Sequence, residues 1–173
     1  MPQLLLHACC APCSLGTIPY WQEQGYQLTL YYDNPNIQPY EEYLQRLQGL
    51  KEYTQREGLT LSEAASYNLQ EYLQVVAPLG TAPNPARCAA CYRLRLQATA
   101  KRALALGYAT FSTTLLISPY QNQQLLQELG AAIAAETGLS FADANLQPRF
   151  RDAQNQARAL GIYRQKYCGC LPP

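Results

Sequence analysis

The amino-acid sequence predicts an α/β fold: a single domain over residues 1–173 with a mainly parallel sheet and flanking helices. Short apolar or alternating runs take turns along the chain with longer stretches whose apolar residues recur at helical spacing. Glycine and proline punctuate the joints, with Gly58 and Gly107 each closing a helical pattern. Hydrophobic residues make up 48% of the chain and charged residues 14%, enough for a buried core and too apolar for disorder.

The elements follow in order. Gln3 to Ala8 reads as a buried strand ending at Cys9. Pro12 and Ser14 mark a turn, after which Leu15, Ile18 and Trp21 continue as an amphipathic helix to about Gln24. Gln27 to Tyr32 alternates and is rich in aromatic residues, a second strand. Asp33-Asn34-Pro35-Asn36 is turn chemistry at its carboxyl end. Tyr40, Tyr43, Leu44, Leu47 and Leu50 keep helical spacing up to Glu57. A short strand near Leu59 to Leu61 and a helix from Asn68 to Val76 come next. The loop from Pro78 to Pro85 delivers Arg87 and Cys88, which open a helix running to Leu106. Ala109 to Ile117 reads as a strand, Gln121 to Thr137 and Pro148 to Leu160 as helices, and Tyr163 to Pro173 as an irregular tail. Ligands of parallel sheets bind beyond the carboxyl ends of strands. The loops at Cys9 to Cys13 and Asp33 to Asn36 should therefore meet on one rim.

No segment approaches the roughly 20 apolar residues of a membrane span, and no basic leader with a small-residue cleavage site opens the chain. The expectation is a cytoplasmic protein without a membrane partner. Net charge is +1, but its distribution is uneven. Residues 1–86 carry three basic against eight acidic side chains, net −5, and residues 87–173 carry ten against four, net +6. Such asymmetry suits a polyanion in the second half, among whose basic residues are Arg93 and Arg95; solvated helix faces are the plainer reading.

Seven cysteines sit in three short stretches: Cys9, Cys10 and Cys13; Cys88 and Cys91; Cys168 and Cys170. An odd number fits a disulfide framework poorly, and in a reducing compartment clusters point to metal binding or catalysis. At a strand-to-turn junction Cys9 and Cys10 can aim at one centre. Cys88-Ala89-Ala90-Cys91, at a helix start, places two sulfurs on one side, where the helix dipole and Arg87 favour thiolate. Two such pairs fit a [4Fe–4S] cluster or a four-cysteine zinc site. Cys168-Gly169-Cys170 reads as a labile redox pair, with metal ligation as the alternative. Cys13 is a fifth ligand candidate or a bystander. His7, the single histidine, reads as a packed hydrogen-bonding residue, and Tyr31, Tyr32, Tyr92 and Tyr167 lie beside the motifs as candidate base-stacking groups.

Leu6-His7-Ala8-Cys9-Cys10-Ala11-Pro12-Cys13-Ser14, followed by Asn34-Pro35-Asn36-Ile37 and Glu41-Glu42-Tyr43, resembles the amino-terminal signature of the QueH-type epoxyqueuosine reductases. Arg87-Cys88-Ala89-Ala90-Cys91-Tyr92, the run from Ser112 to Tyr120, and Tyr163 to Cys170 are similar to the remaining motifs, in the same order. Two places depart from the pattern: Asn145-Leu146-Gln147 and the terminal Leu171-Pro172-Pro173. The resemblance implies an oxidoreductase that deoxygenates epoxyqueuosine to queuosine at the wobble position of tRNA, drawing two electrons from an external donor. It also implies a HUP-type fold akin to adenine-nucleotide hydrolases. Cys9, Cys10, Cys88 and Cys91 would hold a [4Fe–4S] cluster, and Cys168 with Cys170 would form the redox-active pair. An additional iron or other divalent metal would fall to Cys13 and Asp33. Substrate contacts fall to Asn34 and Asn36, which could hydrogen-bond the base or its diol, and to Arg93 and Arg95 for phosphate. A tRNA sulfur-transfer enzyme of similar fold and a zinc-stabilised RNA-binding module are the competing readings. The first should carry a Ser-Gly-Gly-type phosphate loop where this chain has Cys9 to Ser14.

Overall fold

The computed structural model describes residues 1–170; Leu171 to Pro173, the end of the irregular tail and one of the two departures noted above, lie outside the described residues. Five parallel strands form one sheet: β1 (Gln3–His7), β2 (Gln27–Tyr32), β3 (Thr60–Glu63), β4 (Thr110–Thr113) and β5 (Ser140–Phe141), in the order β3-β2-β1-β4-β5. The register places Leu5 opposite Thr29 on one side and Phe111 on the other. Six helices connect and cover the sheet: α1 (Ala11–Glu23), α2 (Tyr40–Glu57), α3 (Leu69–Val76), α4 (Pro85–Leu106), α5 (Gln123–Thr137) and α6 (Phe150–Ala159). Helix α1 packs on α6 and touches α2, whereas α4 packs on α3 and α5. Covered from both sides, β1 is apolar throughout its middle, and Leu4, Leu5 and Leu6 are wholly buried. No helix among the described residues is long and apolar enough to cross a membrane.

The chain builds β1 to β3 outward in one direction and then returns to the other side of β1 for β4 and β5. The switch point thus lies between the carboxyl ends of β1 and β4, where parallel α/β sheets leave a crevice for ligands.

Several boundaries differ from the sequence reading, each for a local reason. Helix α1 starts at Ala11, because extended Cys10 serves as its N-cap and Pro12 suits the first turn; Cys13 is therefore helical. Helix α4 starts at Pro85, with the Asn84 side chain accepting from Arg87 N at 3.0 Å. The strand expected over Ala109 to Ile117 stops at Thr113, whose hydroxyl accepts from Leu115 N at 3.1 Å and turns residues Thr114–Ile117 into a 3-10 helix. Strand β5, two residues long, is too short to show any period. At Gly16 a Cβ would come within 2.2 Å of Ile117 Cδ1 and 3.0 Å of Ala153 Cβ, so only glycine lets α1 approach α6 this closely.

Candidate active site

Successive side chains of a strand point to opposite faces, so adjacent cysteines need a change of backbone to converge. Here β1 ends at His7, Cys10 keeps extended geometry (φ −172°, ψ 166°), and the helix begins one residue later. Cys9 Sγ and Cys10 Sγ come to 3.6 Å. Cys13, in the first turn of α1, closes the group: all three sulfurs lie within 4.8 Å of one another, and all three residues are buried. Thr114, from the neighbouring strand end, fixes Cys9 twice: its Oγ1 accepts from Cys9 N at 3.0 Å and donates to Cys9 Sγ at 3.2 Å. Gln165 Nε2 donates to Cys10 Sγ at 2.9 Å. Hydrogen bonds from Cys10 and Cys13, with smaller help from Thr114 and Arg95, hold Cys9 well below the ordinary thiol range. Burial pushes Cys10 up to about 12, and Cys13, hydrogen-bonded to Cys10 and Cys9, is raised as well. One thiolate flanked by two protonated thiols is a soft donor set that could hold a metal.

Cys88 and Cys91 stand outside this group. Cys88 closes the first turn of α4 and Cys91 lies one turn on, and burial raises both thiols; the lowered values expected from the sequence are not what this environment produces. Cys13, a fifth ligand candidate or a bystander from the sequence, belongs to the triad, and Asp33, read with it as a ligand of an additional metal, is not part of that group. Asp33 accepts from Tyr31 OH at 3.0 Å and lines a separate cavity of about 190 Å³.

His7 is the hydrogen-bonding residue the sequence suggests. Its Nδ1 meets Thr113 Oγ1 at 2.9 Å and its Nε2 meets Asn34 Oδ1 at 2.9 Å. Asn34 Nδ2 donates to Ala8 O at 2.9 Å, so Oδ1 faces the imidazole and the proton belongs on Nε2. Complete burial, aided by Arg95, brings the His7 pKa down to about 3 and keeps the ring neutral. Arg95 Nη2 donates to the same Oδ1 at 2.7 Å, and its Nη1 lies 4.0 Å from Cys91 Sγ. Asn34 is thus buried, with Oδ1 accepting from His7 and Arg95 and Nδ2 donating to Ala8 O. Asn36 is buried too, with an unpartnered Oδ1. Arg93 and Arg95, two residues apart on α4, face different ways: Arg95 is buried at the site, whereas Arg93 is exposed along a different groove.

The tail is anchored by a residue the sequence reading passed over. Buried Arg46 pairs with Glu42 Oε1 at 2.9 Å and donates to Cys168 O at 2.9 Å and Tyr167 O at 2.7 Å. Gln38 N donates to Gly169 O at 2.8 Å and Gln38 Nε2 to Cys170 O at 3.1 Å. Gly169 has φ +125°, and a Cβ there would lie 2.8 Å from Ile37 Cγ1. Cys168 is exposed, while Cys170 is buried beside Cys91, Tyr72 and Val76. All seven cysteines are free thiols, and Cys168 Sγ and Cys170 Sγ stand 3.6 Å apart. Their mutual hydrogen bond brings Cys168 down to about 5, and Cys170 is raised.

These pieces open on one cleft of about 810 Å³. Cys9, Cys13, Arg46 and Arg95 form its buried floor, and Cys168 lies on its wall. Arg151 and Arg158 of α6 with Arg164 and Lys166 of the tail add four more cations, and no acidic side chain lines it among the described residues. Five of the ten basic side chains of residues 87–173 thereby meet on one surface. Of the four tyrosines singled out, Tyr31, Tyr32 and Tyr92 are buried and only Tyr167 reaches the cleft. Thr114 lies inside the third quoted motif and could have been found there; Arg46 carries no signal in the sequence.

The family model described as "Epoxyqueuosine reductase QueH" matches residues 4–172. The chain belongs to the QueH family of epoxyqueuosine reductases. It is 41% identical over 170 residues to the epoxyqueuosine reductase QueH of Dehalococcoides mccartyi, covering 98% of this chain and 91% of that one. It is 32% identical over 177 residues to the QueH protein of Thermotoga maritima, covering 99% and 90%. Membership of the QueH family makes the chain an oxidoreductase. Among solved structures, the U34-tRNA thiolase NcsA of Methanococcus maripaludis with its [4Fe-4S] cluster superposes with a TM-score of 0.61 at 11% identity, covering 99% of this chain and 62% of that one. A predicted subunit of a tRNA methyltransferase from Methanocaldococcus jannaschii gives 0.61 at 10% identity, covering 91% and 75%. These likenesses identify the shared HUP-like fold, as the sequence resemblance implied.

Proposed function

We propose that this QueH-family chain converts epoxyqueuosine to queuosine at the wobble position of tRNA, using an iron–sulfur centre on the thiol triad and the Cys168–Cys170 pair. One observation carries the reading: three buried thiols cluster at the switch point, and two of them, Cys9 and Cys13, lie in the floor of a basic cleft that also receives Cys168. The donor set fits the group, being soft, partly ionised and shielded from water. Cys9, Cys10, Cys88 and Cys91 would supply the four thiolates of a [4Fe–4S] cluster, and Cys13, the third member of the triad, would hold an additional metal beside it. When bound, the cluster supplies electrons singly at low potential.

The chain's own groups account for the rest. Removing the epoxide oxygen takes two electrons and two protons and releases water. Closing the Cys168–Cys170 pair to a disulfide yields two electrons and, because Cys168 is already a thiolate, the one proton of Cys170; the second proton comes from solvent, and an external two-electron donor reopens the pair. Cys168 is poised as the thiolate and Cys170 retains its proton, with the sulfurs already 3.6 Å apart. The cationic wall neutralises tRNA phosphates, and burial of the floor keeps water from the reacting carbon atoms.

The decisive test is anaerobic incubation of the iron-reconstituted protein with tRNA carrying epoxyqueuosine and a reductant, followed by nucleoside mass spectrometry. Loss of one oxygen atom from the nucleoside is expected, and no conversion at full iron loading would overturn the activity. Iron content of Cys13→Ala and Cys88→Ala then reports the ligands: depletion in both supports the set above, and wild-type iron in Cys13→Ala removes Cys13 from it.

A further inference from the structure

Tyr120 is the most exposed aromatic side chain among the described residues, at 80%. Its backbone is nevertheless held. Tyr120 N donates to Ser118 Oγ at 3.2 Å, and Ser118 O accepts from Gln123 Nε2 at 2.9 Å and Gln147 Nε2 at 3.2 Å. Its one aromatic neighbour is Phe150, the first residue of α6, edge-on at 5.8 Å and 85°. Both rings line the cleft beside Arg151 and Arg158. A fixed backbone presenting an open ring serves no packing purpose, and its surroundings point to a ligand that is both planar and polyanionic. Single-stranded RNA has that chemistry: aromatic rings stack bases of any identity while nearby arginines take the phosphates.

Resting on the activity proposed above, we infer that Tyr120, seated against Phe150, is the stacking platform for a base adjacent to the wobble nucleotide. The wobble base itself must travel to the floor, where Cys9 is 6% exposed, whereas Tyr120 stands at the mouth. Stacking the neighbour there, with Arg151 and Arg158 on the intervening phosphates, holds the two bases apart and leaves the reacting one extruded. Tyr120 is therefore a positioning residue of the substrate, and its contribution is independent of charge.

The test uses the full-length protein and an anticodon stem-loop RNA with 2-aminopurine next to the wobble position. Tyr120→Ala should weaken binding about tenfold, and Tyr120→Phe and Tyr120→Trp should stay within about twofold of wild type. The 2-aminopurine fluorescence should be quenched by wild type and by the Phe variant and not by the Ala variant. Because phosphate contacts persist, Tyr120→Ala should keep the salt dependence of wild type, whereas Arg151→Gln with Arg158→Gln should flatten it. Wild-type affinity in Tyr120→Ala, or failure of Phe to rescue, would overturn the platform while leaving the proposed activity standing. Absence of RNA binding by the wild-type protein would overturn both.

Discussion

Arg46 offers the sharpest test of how the redox tail is held. Arg46→Met removes a guanidinium whose side chain is 2% exposed and leaves Glu42, 9% exposed, with Tyr163 OH as its remaining partner at 2.6 Å. Breaking a buried ion pair from one side costs about 3–5 kcal/mol. For a chain of this length that lowers Tm by about 6–20 °C. The same substitution strips Tyr167 O and Cys168 O of their donors. Two hydrogen bonds from a charged donor, at about 1.5 kcal/mol each, would favour local opening of the tail roughly a hundredfold. Gln38 keeps its bonds to Gly169 and Cys170, so at least a tenfold rise is the working expectation. Adding Glu42→Gln separates the two effects. It removes the uncompensated charge while preserving an acceptor for Tyr163, so most of the global stability should return. The tail carbonyls stay unpaired, so buried Cys170 should still be labelled faster than in wild type. Urea melts follow the first quantity and timed thiol labelling with mass spectrometry the second. Wild-type labelling of Cys170 in the double variant would refute Arg46 as the anchor of the tail.

Other consequences are equally direct. Thr114→Val keeps the shape of the side chain but removes both hydrogen bonds to Cys9, and iron affinity in chelator competition should fall about 10–100-fold; unchanged affinity would mean Cys9 needs no orientation. Cys168, at about 5, should be alkylated at its plateau rate from neutral pH down to about pH 6; Cys170→Ala removes the hydrogen bond that stabilises the thiolate, so the profile should move to higher pH. A profile that stays put would dismiss that hydrogen bond as the cause. Gly16→Ala should destabilise by about 1–3 kcal/mol through overpacking of Ile117 and Ala153, read as a lowered Tm. Wild-type stability would show that α1 and α6 have room to separate.

The sequence by itself determined the alternation of strand and helix, the apolar core strand Gln3–His7, and the three cysteine stretches with the family motifs around them, because periodicity, turn residues and spacing are local properties of a chain. It also placed Cys9 beyond the first strand, where a parallel sheet binds its ligands. Partnership was decided elsewhere. Cys13 joined the triad because Cys10 became an N-cap and started the helix early, a choice made by backbone geometry over a handful of residues. Asn34 and Arg95, both read as substrate contacts, were drawn into a buried network with His7, since a polar group shut away from water must find a partner within the protein. Arg46 reaches the tail across 122 residues of sequence, and no local pattern announces a contact of that span. The five basic side chains from the second half that line the cleft meet only because α6 folds back on α1 beside the switch point; tertiary structure alone turned a diffuse charge asymmetry into a surface.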